Sequence, residues 1–350
     1  MKIAFRTDGS NAIGMGHVIN SLSVAEALQK YPSNNKAEIF FIMKNFPEAV
    51  AKVREAGYNV EEINPGLPER ESFKETIKIL QEQKTYCLVT DLLEIHDDYS
   101  TELKKNKILC VSIDILGKIK LKSDIIINRT TISKRFEQYD RNQPTKYFFG
   151  PQYVPLRTQF IGMDKFPRQQ QQKVQNALLC FGGGDEYNLS ARVAWILGKF
   201  SGIKTTIVLG AAFKLEEELQ EIIAQLPQQP TIIKDAKNMK DLFLQSDLAV
   251  CAGGSILYEL AVTGTPALVI PMNDHQIENA QEFEKFGSVL SVDLHSEIED
   301  EEIQGVIEKL LDQQLRKKMG EAGKKITDGR GAERIAEIIY SAVSKGNQDE

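Results

Sequence analysis

The sequence predicts an α/β chain of two Rossmann-like domains, each on a doubly wound parallel sheet, and three observations carry that prediction. Short apolar runs alternate with amphipathic helical stretches through all 350 residues, the order that builds parallel sheets. Several runs are apolar without alternation, as in Ile125, Ile126 and Ile127 or Ala177, Leu178, Leu179, Cys180 and Phe181; strands covered on both faces read this way. Glycine-rich turns follow three of the runs, each just before a helical stretch.

Taken in order, the strands of the first half are expected at 2–8, 38–44, 86–91, 107–114 and 124–129, and those of the second at 176–183, 204–210, 231–235, 248–253, 266–271 and 288–293. Residues 151–175 hold three prolines and the polar run Gln169, Gln170, Gln171 and Gln172, the composition of an interdomain linker. The domains are therefore expected at 1–150 and 176–344, with an amphipathic helix over 331–344 closing the second and a polar tail at 345–350. A ligand is expected between the two domains, at the carboxyl ends of strands.

Composition narrows the function classes. Hydrophobic residues are 42% and charged residues 26%, a soluble globular balance, and the net charge of −6 comes with no basic stripe for a nucleic acid. The start of the chain reads as no signal peptide, and no apolar run is long enough to span a bilayer. The four cysteines, Cys87, Cys110, Cys180 and Cys251, fall in or beside strands without metal-ligand spacing, as buried thiols of a reducing cytoplasm do.

The most informative stretch runs from Asp247 to Pro271. An apolar strand ends at Ala252, Gly253, Gly254 and Ser255, a helix pattern follows, and Gly264, Thr265 and Pro266 stop it. Strand, glycine turn and helix start present unpaired N–H groups and a positive dipole end to an anion, so Gly253, Gly254 and Ser255 are candidates for holding a phosphorylated ligand. Glu259 is the one carboxylate in that apolar helix, one position too late for a capping box with Ser255. It is either the acceptor for two ribose hydroxyls or a member of a buried ion pair.

Three further places carry polar chemistry at strand ends. Gly14, Met15, Gly16 and His17 follow the first strand, with a helix beginning near Val18 and burying Val18, Leu22, Ala25 and Leu28. The glycines leave open space over the strand end, and His17 at a helix N-terminus is favoured as a neutral imidazole, able to serve as a general base. The alternative is that His17 only caps the helix or satisfies a loop carbonyl. Gly182, Gly183, Gly184 and Asp185 follow the strand at 176–181; they mark close approach of a ligand or a tight turn capped by Asp185 or Asn188. Asp274, His275 and Gln276 follow the strand ending at Pro271 and could fix a sugar, or Asp274 could cap the next helix.

Together these motifs resemble the GT-B-fold sugar-nucleotide enzymes, above all the UDP-sugar hydrolases of pseudaminic acid biosynthesis and the related SpsG-type spore-coat polysaccharide proteins. The resemblance covers most of the chain in one order. It rests on Phe5, Arg6, Thr7 and Asp8 with Ile13, Gly14, Met15, Gly16 and His17; on Phe149, Gly150, Pro151, Gln152 and Tyr153 with Leu156 and Arg157; on the run from Leu179 to Asp185 with Asn188 and Leu189; and on Cys251, Ala252, Gly253, Gly254 and Ser255 with Glu259. The glycine–serine turn with Glu259, and Asp274, Gln276 and Asn279, are also similar to MurG-type glycosyltransferases.

The resemblance implies that the C-terminal domain binds UDP, with diphosphate on the helix start at Gly253, Gly254 and Ser255 and ribose on Glu259. It implies that His17 activates water at the anomeric carbon, releasing UDP and free 2,4-diacetamido-2,4,6-trideoxy-altrose with neither metal nor cofactor. Asn20 stands where the family usually has Arg, Asp91, Leu92 and Leu93 where it commonly has Asp-His-Tyr, and His275 where it has Asn. All three departures concern the sugar rather than the UDP site. A glycosyltransferase with the same UDP site, and a binding protein without turnover, are the rival readings.

Overall fold

Apolar side chains on both faces make β1 (Lys2–Thr7) a central strand, and in the computed structural model Ile3, Ala4 and Phe5 are fully buried. The structure describes all residues except 11–13, 33–35, 93–94, 96–97, 115–121, 138, 140, 142–143, 211–212 and 347–350. The chain divides into two units, Met1–Arg157 with Arg330–Glu350, and Thr158–Gly329.

In the first unit β1 is followed by β2 (Glu38–Lys44), β3 (Asn59–Ile63), β4 (Cys87–Asp91), β5 (Leu109–Ile113), β6 (Ile125–Asn128) and β7 (Lys146–Phe149), all parallel in the order β3-β2-β1-β4-β5-β6-β7. The helices between them are α1 (Gly16–Lys30), α2 (Pro47–Glu55), α3 (Glu69–Glu82) and α4 (Asp98–Lys105). Strand side chains alternate between two layers. Ile3, Phe5, Val89, Val111 and Ile127 pack under Val18, Val24 and Leu28 of α1, whereas Ala4, Ile42, Leu88 and Cys110 pack against Phe73, Leu80 and Leu103.

The second unit repeats the plan. Its strands are β8 (Asn176–Cys180), β9 (Lys204–Leu209), β10 (Thr231–Lys234), β11 (Leu248–Cys251), β12 (Ala267–Val269) and β13 (Val289–Ser291), parallel in the order β10-β9-β8-β11-β12-β13. Its helices are α5 (Leu189–Leu197), α6 (Glu216–Ile223), α7 (Met239–Gln245), α8 (Ile256–Thr263), α9 (Asp274–Lys285), α10 (Asp300–Leu310) and α11 (Gln313–Gly323). In each sheet the chain winds outward over three strands and then returns beside the first. That reversal opens a crevice beyond the carboxyl ends of β1 and β4, and of β8 and β11.

The boundaries differ from the sequence expectation in two places. The last helix, α12 (Gly331–Gly346), belongs to the first unit, where Ile335, Ile339 and Val343 join the core beneath α1. Each such side chain is worth about 1.5–3 kcal/mol when fully buried. Residues 158–175, expected within the linker, are part of the second unit. The Arg168 guanidinium donates to the Phe243 carbonyl (3.0 Å), the Ser246 carbonyl and Thr265 Oγ1 (2.8 Å), and burial pushes its pKa down to about 10. Asp247 Oδ2 accepts the N–H groups of Gln175 and Asn176 at 2.8 and 2.9 Å. The polar run is likewise drawn in: Gln170 is buried and donates to the Gly264 carbonyl at 3.2 Å.

Strands β3 and β7 were absent from the sequence expectation. Both are sheet edges: Glu61 and Glu62 interrupt the apolar signal of β3, and β7 is only four residues long and opens on the exposed Lys146. The four cysteines are buried thiols outside any disulfide, and Cys180 pairs in register with Cys251. Among the described residues no helix is long and apolar enough to cross a membrane.

Candidate active site

Both crevices carry the predicted residues. In the first unit, Gly14 turns at φ +79° and its N–H bonds the Ser10 carbonyl (2.7 Å) just before α1; Ile13 lies outside the described residues. Helix α1 starts at Gly16, so His17 sits inside its first turn, two residues earlier than Val18 would suggest. Met15 holds the N-cap position, and no side chain caps the helix. His17 is 9% exposed, and its Nδ1 lies 2.6 Å from Oδ1 of Asp91, the last residue of β4. Asp91 is fully buried and in register with Thr7 at the end of β1.

This pairing decides what the imidazole can do. A carboxylate only accepts, so Nδ1 carries the hydrogen, which in the neutral ring leaves the lone pair on Nε2. A histidine so oriented can take a proton at Nε2 while the buried carboxylate stabilises the imidazolium that forms. In the sequence Asp91 stands out only as part of the family pattern at 91–93. The signal that could have found it was a carboxylate closing an otherwise apolar strand. Asn20, one turn after His17, is buried on the same helix; Leu93 lies outside the described residues.

In the second unit β11 runs into Ala252, Gly253, Gly254 and Ser255, and α8 begins at Ile256. Ser255 occupies the N-cap position but makes no capping bond. The N–H groups of Gly254, Ser255 and Ile256 have no partner among the described residues. Three unpaired donors at a positive dipole end suit an anion. Glu259 is half-buried one turn later.

The glycine turn is braced from α9. The Gln276 side-chain oxygen accepts the N–H of Gly253 (3.1 Å) and of Met272 (2.9 Å), and Asn279 Nδ2 donates to the Gly253 carbonyl (2.7 Å). A Cβ on Gly253 would lie 2.6 Å from the Gln276 carbonyl oxygen, whereas one on Gly254 would meet nothing within 4 Å. Gly253 is thus a packing glycine and Gly254 an open one. Gln276 and Asn279 hold the turn in shape, a role the sequence reading gave to neither. Asp274 and His275 are exposed in the first turn of α9, and Asn273, not Asp274, caps it by accepting the Gln276 N–H (3.2 Å).

The Gly182–Gly184 turn has a structural reason of its own. A Cβ on Gly210, beyond β9, would stand 2.4 Å from the Gly183 Cα, so two backbones meet there. Asp185 caps α5, its two oxygens accepting the Leu189 and Ser190 N–H groups at 2.9 Å each. Desolvation by burial raises the Asp185 pKa, against those hydrogen bonds. The capped turn is therefore real, and the Cβ direction at Gly183 also opens onto free space.

Comparison with known proteins bears on the fold. Across 97% of this chain and 100% of the other, Acinetobacter baumannii MurG superposes with a TM-score of 0.70 at 14% identity. The fold is GT-B-like. Residues 179–336 match the glycosyltransferase family 28 C-terminal domain, which begins within β8 and takes in the braced glycine turn. An uncharacterized protein of Methanocaldococcus jannaschii is 30% identical over 289 residues, 79% of this chain, and this chain spans 57% of that protein's length. The spore coat polysaccharide biosynthesis protein SpsG of Bacillus subtilis is 25% identical over 97% of this chain and 98% of its own. The UDP-2,4-diacetamido-2,4,6-trideoxy-beta-L-altropyranose hydrolase of Campylobacter jejuni is 26% identical over 74% of this chain and 87% of its own. The chain thus has a GT-B-like fold, a match to the family 28 C-terminal domain over 179–336, and sequence similarity to a UDP-sugar hydrolase.

Proposed function

We propose that this protein hydrolyses a UDP-activated amino sugar, UDP-2,4-diacetamido-2,4,6-trideoxy-beta-L-altropyranose or a close relative, to UDP and the free sugar, within nonulosonic acid or surface polysaccharide biosynthesis in the cytoplasm. The observation that carries the reading is the His17–Asp91 pair, a histidine at a strand–helix turn with its Nε2 lone pair free for a proton. Likeness to the Campylobacter hydrolase supports the substrate class.

In this reading the diphosphate lies on the N–H groups of Gly254, Ser255 and Ile256, and Glu259 accepts from the ribose hydroxyls. Gly14, Gly16 and Asn20 of the first unit, and Gly183, Gly253, Asp274, His275 and Gln276 of the second, line the bound sugar nucleotide. His17 Nε2 takes a proton from water as the water oxygen bonds the anomeric carbon. The bond from that carbon to the diphosphate oxygen breaks, and its electron pair leaves with UDP. The helix dipole and the amides stabilise the departing charge without a metal.

The family 28 match and the MurG-like fold favour a second reading, in which a hydroxyl acceptor replaces water. One experiment separates them. A panel of UDP-sugars is incubated with the protein in EDTA, with and without candidate acceptors, and both UDP and the sugar product are followed. Release of UDP with free reducing sugar and no acceptor supports hydrolysis. UDP release only with acceptor supports transfer, and UDP binding with no turnover of any donor refutes both.

A further inference from the structure

Behind the His17–Asp91 pair lie four buried polar atoms that no described residue satisfies: Asp91 Oδ2, Thr7 Oγ1, Asn20 Nδ2 and Ser21 Oγ. Thr7, Asp91 and Ser21 are fully buried and Asn20 is 4% exposed. Their placement is shared. Thr7 and Asp91 are register partners on β1 and β4, each following the stripe Ile3, Phe5 or Cys87, Val89 that faces α1. Asn20 and Ser21 stand three and four residues after His17 on α1, the spacing that puts side chains on one helix face. All four atoms therefore belong to the same layer between α1 and the ends of two adjacent strands.

An unsatisfied carboxylate oxygen is among the most costly groups to bury, and polar groups in this position are ordinarily served by ordered water. The donor inventory fits one. Asn20 Nδ2 only donates, Asp91 Oδ2 only accepts, and the two hydroxyls do either. A water accepting from Asn20 can donate to Asp91 Oδ2 and to a hydroxyl. Direct contact among the four does not occur, so none can replace it.

We infer that Thr7, Asn20 and Ser21 enclose an internal hydration site that binds the second oxygen of Asp91, and that they are positioning residues for His17. With Oδ2 held from behind, the carboxylate cannot rotate, and Oδ1 stays on Nδ1. The same water leaves the negative charge of Asp91 partly solvated while the bulk solvent is excluded. This inference rests on His17 acting as the base, but its first readouts do not use turnover.

The test compares the wild type with Thr7→Val/Ser21→Ala and with the conservative Thr7→Ser. High-resolution crystallography is expected to show water within hydrogen-bond distance of Asp91 Oδ2 and of at least one of Thr7, Asn20 and Ser21. Nitrogen-15 NMR is expected to report His17 as the Nδ1–H tautomer in the wild type and Thr7→Ser, and as a tautomer mixture in the double variant. Once a turnover assay exists, kcat of the double variant should fall about tenfold with KM unchanged, the lower end of what removal of a histidine's supporting partner costs at metal sites. A dry site overturns the proposal, and so does a double variant whose tautomer stays that of the wild type. If the water and the tautomer behave as expected while no UDP-sugar is turned over, the hydration site stands and the hydrolase reading falls.

Discussion

Replacing Gly253 and Gly254 one at a time should separate a glycine needed for packing from one needed for ligand. In Gly253→Ala the new Cβ would lie 2.6 Å from the Gln276 carbonyl oxygen and 2.8 Å from its Cβ, so α9 must retreat. Overpacking of this kind costs about 1–3 kcal/mol. The Gln276 and Asn279 bonds to Gly253, at 3.1 and 2.7 Å, weaken with it, each worth about 1 kcal/mol. A total of about 3 kcal/mol should lower Tm by on the order of 10 °C, since 1 kcal/mol moves a unit of this size by about 2–4 °C. In Gly254→Ala the Cβ meets no atom within 4 Å and the backbone is outside the left-handed region. Stability should hold or rise by about 0.4–1 kcal/mol, because the unfolded chain loses freedom. That methyl nevertheless stands beside three unpaired N–H groups, and UDP affinity should fall at least about tenfold, or 1.4 kcal/mol. Differential scanning calorimetry and isothermal titration with UDP read both effects. Wild-type UDP affinity in a folded Gly254→Ala variant would refute the anion site, and an unchanged Tm in Gly253→Ala would refute the packing argument.

Three further outcomes are expected. His17→Asn and Asp91→Asn should each reduce turnover by about 100- to 10,000-fold while UDP still binds, and a rate indifferent to the loss of the imidazole would remove His17 as the base. Glu259→Gln should weaken UDP binding by about 1.5–3 kcal/mol with little change in Tm; lost stability at unchanged affinity would make Glu259 a structural ion-pair member instead. The thiols should resist reagents at pH 8 in the native protein and all react in guanidinium, because burial raises the Cys110 pKa to about 11 and that of Cys251 as well. The folded state then keeps protons that the unfolded chain releases, so stability should fall as pH rises from about 8.5 towards 11; a flat denaturation midpoint over that range would contradict it.

Much of the fold was legible because its signals are local. A parallel strand buried on both faces is an apolar run whatever its partners, and Ile125–Asn128 or Asn176–Cys180 need no neighbour to be recognised. Edge strands lose that signature: β3 pairs on one side only, and its Glu61 and Glu62 are spared burial. The amphipathic face of α12 was equally legible, but periodicity records only that a face is buried. Its choice of the first unit depends on shape at its start, where a Cβ on Gly331 would stand 2.1 Å from the Val154 oxygen.

The candidate site divides along the same line. His17 and the Gly253–Gly254 turn announce themselves because strand, glycine and helix start are contiguous in sequence. The residues that give them a defined chemistry are remote: Asp91 is 74 positions from His17, and Gln276 and Asn279 are 23 and 26 positions from Gly253. The reversal of winding sets β4 beside β1 and so brings Asp91 to His17, whereas Gln276 and Asn279 reach Gly253 because β12, which leads into α9, pairs with β11. A carboxylate at the end of β4 has the end of β1 as its register neighbour, and the turn after β11 stands beside the turn after β8. The two crevices are thus equivalent positions of one topology, filled differently. One received an acceptor that fixes a histidine, and the other received braces that keep three amide donors open. The proposed hydrolysis asks for a proton acceptor and an anion holder, and in that proposal each demand falls to one of the two sheets.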